Sequence, residues 1–181
     1  LEANGQHLLQ LQEKLLQLSE MQKFPNLKNP YHLIATLGGI GLIPFAPGTF
    51  GSIFAWAVFI FISHFINMLV LIIVSLFFAI WICEKVTKDL IEKDHKSIVI
   101  DELIGMWISL MPVIYIASTQ RDRTIYAVVA LILFRFFDIL KPFPISYFDQ
   151  KIKNGFGIVI DDCIAGIFAA IGTTLITILL V

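Results

Sequence analysis

Apolar residues in this chain fall into runs separated by short polar stretches, at about Leu33 to Phe45, Ser52 to Ile66, Met68 to Cys83, Leu103 to Ala117, Thr124 to Leu140 and Ile158 to Val181. A helix needs ~20 apolar residues to cross a bilayer, and the last four runs come nearest to that length. The second is short, and Ser63, His64 and Asn67 at its end predict a tight helical hairpin with the third. The first carries Gly38, Gly39 and Gly41 and reads as a re-entrant or interfacial piece. Ahead of it, Leu8, Leu11, Leu15 and Leu18 recur at helical spacing in a polar stretch, which predicts an amphipathic surface helix ending at Pro25. The pattern is that of an all-α, polytopic helical membrane protein with about five spans plus the short re-entrant or interfacial segment. Residues 1–30 form an amphipathic N-terminal segment and 31–181 the helical membrane domain.

Composition agrees with that reading. Hydrophobic residues make up 57% of the 181 and charged residues only 15%, whereas charge in a soluble domain runs near a quarter. The net charge of -1, with no basic stripe interleaved with aromatics, excludes nucleic acid as a partner. Cys83 and Cys163 have no CxxC or Cys/His ligand spacing, so they read as packing residues and not as a zinc site or disulfide. No basic n-region followed by an apolar h-region is present, so no signal peptide is expected.

Lysines orient the spans. Lys85, Lys88, Lys93 and Lys96 crowd one loop and Lys141, Lys151 and Lys153 another two spans on, which places both loops in the cytoplasm; Arg121 and Arg123 in the opposite loop are the exception. With the N-terminus inside, Gly48 to Ser52, Asp101/Glu102, Asp138/Lys141 and Asp161/Asp162 all emerge on the cytoplasmic face. The acids took no part in that assignment, so their convergence points to one shared site.

Carboxylates at membrane depth are functional candidates, because hydrocarbon offers nothing in place of their hydration unless a cation or the bundle interior receives them. Asp101 and Gly105, Asp161 and Ala165, and Asp162 and Gly166 are each four residues apart, so every one of these acids has a small neighbour one turn on. Small residues let helices approach and bring acids from different helices to one ion. Asp138 lies three residues after Arg135 and three before Lys141, which sets a metal ligand between two cations suited to phosphate oxygens. Pro47-Gly48-Thr49-Phe50-Gly51-Ser52 is a glycine-containing turn opening a helix, where backbone N–H groups and two hydroxyls fit a phosphate. Taken singly, each has a plainer reading: an N-cap or interfacial charge for an acid, a snorkelling anchor for Arg135 or Lys141, a capping hydroxyl for Thr49 or Ser52. Trp56, Trp81 and Trp107 read as interface anchors, Glu84, Asp89, Glu92 and Asp94 as a solvated helix, and the histidines as structural.

Four ordered motifs carry a resemblance. The Pro47 to Ser52 turn, Asp101-Glu102-Leu103-Ile104-Gly105, Phe134-Arg135-Phe136-Phe137-Asp138-Ile139-Leu140-Lys141-Pro142-Phe143-Pro144-Ile145, and the run from Gly155 through Asp161-Asp162 to Gly166 resemble the successive motifs of the bacterial phosphatidylglycerophosphatase A family. The likeness runs from about His32 to the C-terminus; Val159 and Ile160 depart from the usual residues before the acid pair. It implies a magnesium-dependent lipid phosphatase of the inner membrane, whose partner is the phospholipid substrate phosphatidylglycerophosphate and whose product is phosphatidylglycerol. Residues 31–181 are then the catalytic domain.

Phosphate monoester hydrolysis needs charge neutralisation on the transferring group, a positioned nucleophile and support for the leaving oxygen. Hard oxygen donors without histidine or thiolate favour Mg²⁺ over zinc. The expected division of labour gives the metal to Glu102, Asp138 and Asp162, catalysis to Asp161 or Asp101 by orienting water or attacking directly, and the phosphate to Arg135, Lys141, Thr49 and Ser52. A cation transporter or channel is the rival, but it calls for acids near the midplane in matching halves, and the chain has no internal repeat. The Asp-Gly-x-x-Ala-Arg run of the alcohol phosphotransferases is absent.

Overall fold

The computed structural model describes residues 24–88, 90 and 94–180, with Gln6, Leu11, Gln12 and Leu15 as isolated positions. The leucine-patterned helix expected near the N-terminus otherwise lies outside the described residues. Among those described, the fold is all-helical: α1 (Pro30–Ala35), a 3-10 turn (Ile40–Leu42), α2 (Pro47–Ile62), α3 (Met68–Thr87), α4 (Ile100–Ile116), α5 (Gln120–Leu140), α6 (Ile145–Lys151) and α7 (Gly155–Leu180).

Local chemistry sets the boundaries. Pro47 opens α2 at a position where its missing N–H costs nothing, so this helix starts a turn and a half before the expected Ser52. Asn67 caps α3 by accepting from the backbone N–H of Leu69 and Val70, which ends the α2–α3 hairpin. Thr119 and Asp122 form a reciprocal capping box at the start of α5. The segment from Leu33 to Phe45 is a short helix, glycine turns and a 3-10 turn, with Gly38 and Gly39 at positive φ, which agrees with its expected unfitness as a straight span. The helix α6 escaped the sequence reading because Pro142 and Pro144 mask its start.

α4 and α7 form the central pair; α2, α3 and α5 pack around them and α6 lies against α7. Glycines permit the crossing. A Cβ on Gly105 would lie 2.6 Å from the Asp162 carbonyl oxygen, and one on Gly166 would run into the Gly105 carbonyl. Two of the small neighbours noted one turn beyond the acids, Gly105 and Gly166, are therefore where the two backbones touch.

Indole groups brace the bundle from within. Trp107 donates to the Ala55 carbonyl at 2.9 Å and Trp56 to the Ala127 carbonyl at 3.1 Å. Trp107 is buried, which corrects its expected place at a membrane interface: a buried indole satisfies its N–H inside the fold. Trp81 does stay exposed. Cys83 and Cys163 are buried and free, as packing residues are.

Large apolar side chains also cover the outside, among them Phe61, Val74, Phe77, Ile132, Ile139 and Leu179. Two helices are long and apolar enough to cross a membrane, Met68–Thr87 and Gly155–Leu179, and Pro47–Ile62 is a shorter apolar helix. An apolar exterior of this extent on a chain with such helices marks association with a membrane.

Candidate active site

Four helix ends meet at one end of the bundle. Asp101 and Glu102 stand in the first turn of α4, where the helix dipole favours negative charge. Asp161 and Asp162 lie near the start of α7, Arg135 and Asp138 in the last turns of α5, and Gly48 in the first turn of α2. Together with Ala46, Lys141, Asp94 and Lys96 these residues line a cavity of about 260 Å³. All four acids on α4 and α7 are buried, with at most 9% of their surface exposed.

Single oxygens of Asp101, Glu102 and Asp162 all lie within 4.8 Å of one another. Asp101 Oδ1, Glu102 Oε2, Asp161 Oδ1 and Asp162 Oδ2 are buried without a hydrogen-bond partner among the described residues. Orphaned buried carboxylate oxygens are costly unless something positive completes them. A hard divalent cation fits that need and that donor set.

The cations of the site hold fixed places. Arg135 Nη1 donates to Asp138 Oδ2 at 2.5 Å and to Ser52 Oγ at 3.3 Å, while the Ser52 hydroxyl donates to the Gly48 carbonyl at 2.8 Å. Lys141 Nζ donates to Asp161 Oδ2 at 2.5 Å and to Asp149 Oδ1 at 2.9 Å. Burial alone would lower the Lys141 pKa, but Asp161 and then Asp149 carry it well above the usual lysine range, so the ammonium stays charged. Gly48 is required by contact: a Cβ there would meet the Glu102 carboxylate and come within 3.3 Å of Arg135 Nη2. Ala46 and Lys141, at φ +48° and +41°, adopt the left-handed conformation that non-glycine residues rarely take. Both line the cavity, and backbone strain of this kind gathers at functional sites.

The structure thus brings eight of the nine expected residues together. Asp101, expected with Asp161 to orient water or attack directly, lies beside Glu102 and Asp162; Asp138, expected on the metal with those two, lines the cavity and pairs with Arg135. Ser52 reaches the site through Arg135, and Thr49 does not line the cavity. Asp94, assigned to a solvated helix, lies in a bend at the cavity wall, while Asp89 and Glu92 are outside the described residues. Asp149 was missed, because no local spacing ties an acid on α6 to a lysine eight residues earlier.

A larger cavity, about 580 Å³, lies at the other end between Phe59, Leu110, Val113 and Ala127, with His64 and Arg123 among its lining residues and no carboxylate. That end has the larger volume, and the buried carboxylates line the smaller cavity.

Buried acids beside fixed cations thus gather at one end of an apolar helical bundle. The phosphatidylglycerophosphatase A family profile matches residues 33–177. A phosphatidylglycerophosphatase A of Haemophilus influenzae is 44% identical over 149 residues, covering 81% of this chain and 88% of that protein. Its Escherichia coli K12 namesake is 38% identical over 147 residues, 80% and 81% of the two chains. A Bacteroides thetaiotaomicron protein, 35% identical over 147 residues and spanning 77% and 88%, is named for phosphatidylinositol-3-phosphatase activity. No solved structure matches the chain. The chain belongs to the phosphatidylglycerophosphatase A family and is a phosphatase.

Proposed function

We propose that this enzyme hydrolyses the terminal phosphate monoester of phosphatidylglycerophosphate, giving phosphatidylglycerol and inorganic phosphate, with Mg²⁺ held by Asp101, Glu102 and Asp162. The observation that carries the reading is the set of converging, unpartnered carboxylate oxygens facing a cavity that Arg135 and Lys141 also line. When bound, the cation supplies positive charge to the phosphoryl oxygens in the transition state.

The chain's own groups do the rest. Arg135, held by Asp138 and Ser52, offers planar N–H donors to the phosphate, and Lys141 adds a point charge from the far wall. Asp161 Oδ1 is free to accept the proton of an attacking water, its other oxygen being fixed by Lys141. As the new P–O bond forms, the bond to the glycerol oxygen breaks and that oxygen takes up a proton. An aspartyl-phosphate route through Asp161 is distinguished by trapping acid-quenched, labelled enzyme; absence of label supports water attack.

Five spans suit the architecture: α2, α3, α4, α5 and α7, of 16, 20, 17, 21 and 26 residues, with ends close to the bilayer's reach. Lys85, Lys88, Lys141, Lys151 and Lys153 follow or precede the helix ends that carry the acids, and this excess of lysine supports a cavity at the cytoplasmic face of a bacterial inner membrane. A headgroup enters there while its acyl chains remain beside exposed Phe143, Leu140 and Phe45. Acids at helix ends, away from the midplane, fit an ion pathway less well.

The test is phosphate release from phosphatidylglycerophosphate by detergent-purified protein, with Mg²⁺ and with EDTA, beside phosphatidylinositol 3-phosphate and phosphatidic acid. Mg²⁺-dependent release favouring phosphatidylglycerophosphate supports the reading. Preference for the inositol lipid would reassign the substrate, and no release from a folded sample would sink the activity.

A further inference from the structure

We propose that Asp149 is a positioning residue for this reaction: it holds the Lys141 ammonium off a simple one-to-one pair with Asp161, so that one N–H stays directed at the substrate phosphate. The inference rests on the cavity being the phosphate site. A lysine ammonium has three donors. Two are committed, to Asp149 Oδ1 at 2.9 Å and Asp161 Oδ2 at 2.5 Å, and the side chain lines the cavity with a third to spare.

The two acids pull from different elements. Asp161 sits on α7 and its side chain is 6% exposed, while Asp149 sits on α6 with a side chain 25% exposed. Were Asp149 neutral, the buried carboxylate of Asp161 would take the ammonium alone. A buried pair with good geometry holds tightly, so Lys141 would turn from the phosphate and Asp161 would lose the balance that leaves its second oxygen available. The mount is built to resist that. Lys141 ends α5 at φ +41°, its N–H bonds back to the Phe137 carbonyl, and Pro142 follows at once. α6 is fixed in turn by the fully buried Ile145 and by packing on α7. Asp149 therefore reports the position of α6 to the site through a single lysine.

A double-mutant cycle on the full chain tests this, using Asp149→Asn, Lys141→Ala and the two combined, with Asp149→Glu as the charge-keeping control. Two readouts apply: the Kd of inorganic phosphate by calorimetry in Mg²⁺, and kcat and KM on phosphatidylglycerophosphate. Asp149→Asn should raise Kd and KM about tenfold, the loss expected for one charge-assisted hydrogen bond, with a smaller change in kcat. Asp149→Glu should restore most of the affinity, and in the Lys141→Ala background Asp149→Asn should add nothing. An equal fold-loss with and without Lys141, or an unaltered phosphate Kd in Asp149→Asn, overturns the proposal; if Asp149→Asn does not fold, Asp149→Ser enters the same cycle. Wild-type protein that neither binds nor releases phosphate would overturn the function itself, whereas wild-type activity with an additive cycle removes Asp149 alone.

Discussion

The two ends of this bundle are built to opposite standards. At the end away from the acids, polar groups find partners nearby: Asn67 caps α3, Thr119 and Asp122 cap each other, and the Ser63 hydroxyl bonds back to the Ile60 carbonyl. The cavity there is the roomier of the two and is walled by Phe59, Leu110 and Val113. At the acid end, four carboxylate oxygens are left without partners among the described residues, two non-glycine residues of the cavity wall, Ala46 and Lys141, sit in left-handed conformations, and glycines are pressed against carboxylate and carbonyl oxygens. The end with satisfied caps departs from the local rules of helix stability at Pro112 inside α4; the acid end departs from them repeatedly and in one place. Such concentrated departures are what a reaction centre requires.

Substitutions should separate the ends. Asp162→Asn is expected to lower turnover on the order of 10³-fold, as loss of a principal charge-stabilising group does, while its melting temperature in EDTA holds or rises because one clustered negative charge is gone. Undiminished phosphate release would remove Asp162 from the site. Gly166→Ala drives a methyl into the Gly105 carbonyl and should cost about 1–3 kcal/mol in detergent unfolding, with activity falling because Asp101 and Asp162 separate. Arg135→Ala should raise KM about tenfold with kcat less affected; an unaltered KM would count against its phosphate contact. At the opposite end, Thr119→Ala should lower stability by about 1 kcal/mol and leave kcat/KM where it was. Arg123→Ala should move stability by less than about 0.5 kcal/mol, and a clear activity loss there would break the contrast between the ends.

Much of this was legible in the sequence because membrane helices leave few choices. Charged residues are rare in such segments, so Asp101, Glu102, Asp138, Asp161 and Asp162 stand out, and their four-residue offsets to Gly105, Ala165 and Gly166 foretold the close α4–α7 crossing. What could not be read were relations that arise only on folding. That Asp162 on α7 comes to Asp101 and Glu102 on α4 depends on how the two helices are rotated about their axes, whereas Arg135 and Asp138, three residues apart, pair within one helix. The Trp107 indole faces Ala55 through the same rotation of α4. Asp149 meets Lys141 only because the chain doubles back after Pro142, and no periodicity encodes that turn.

The pairing of α4 with α7 also sets an order of events during synthesis. Asp101 and Glu102 leave the ribosome about sixty residues before Asp162, and until then the face of α4 that carries Gly105 has Phe134 of α5 beside it but not the α7 backbone. A nascent chain stopped between α4 and α7 holds two of the three converging carboxylates and none of the helix that brings the third. The three converging carboxylates therefore come together in one step, when α7 packs onto α4.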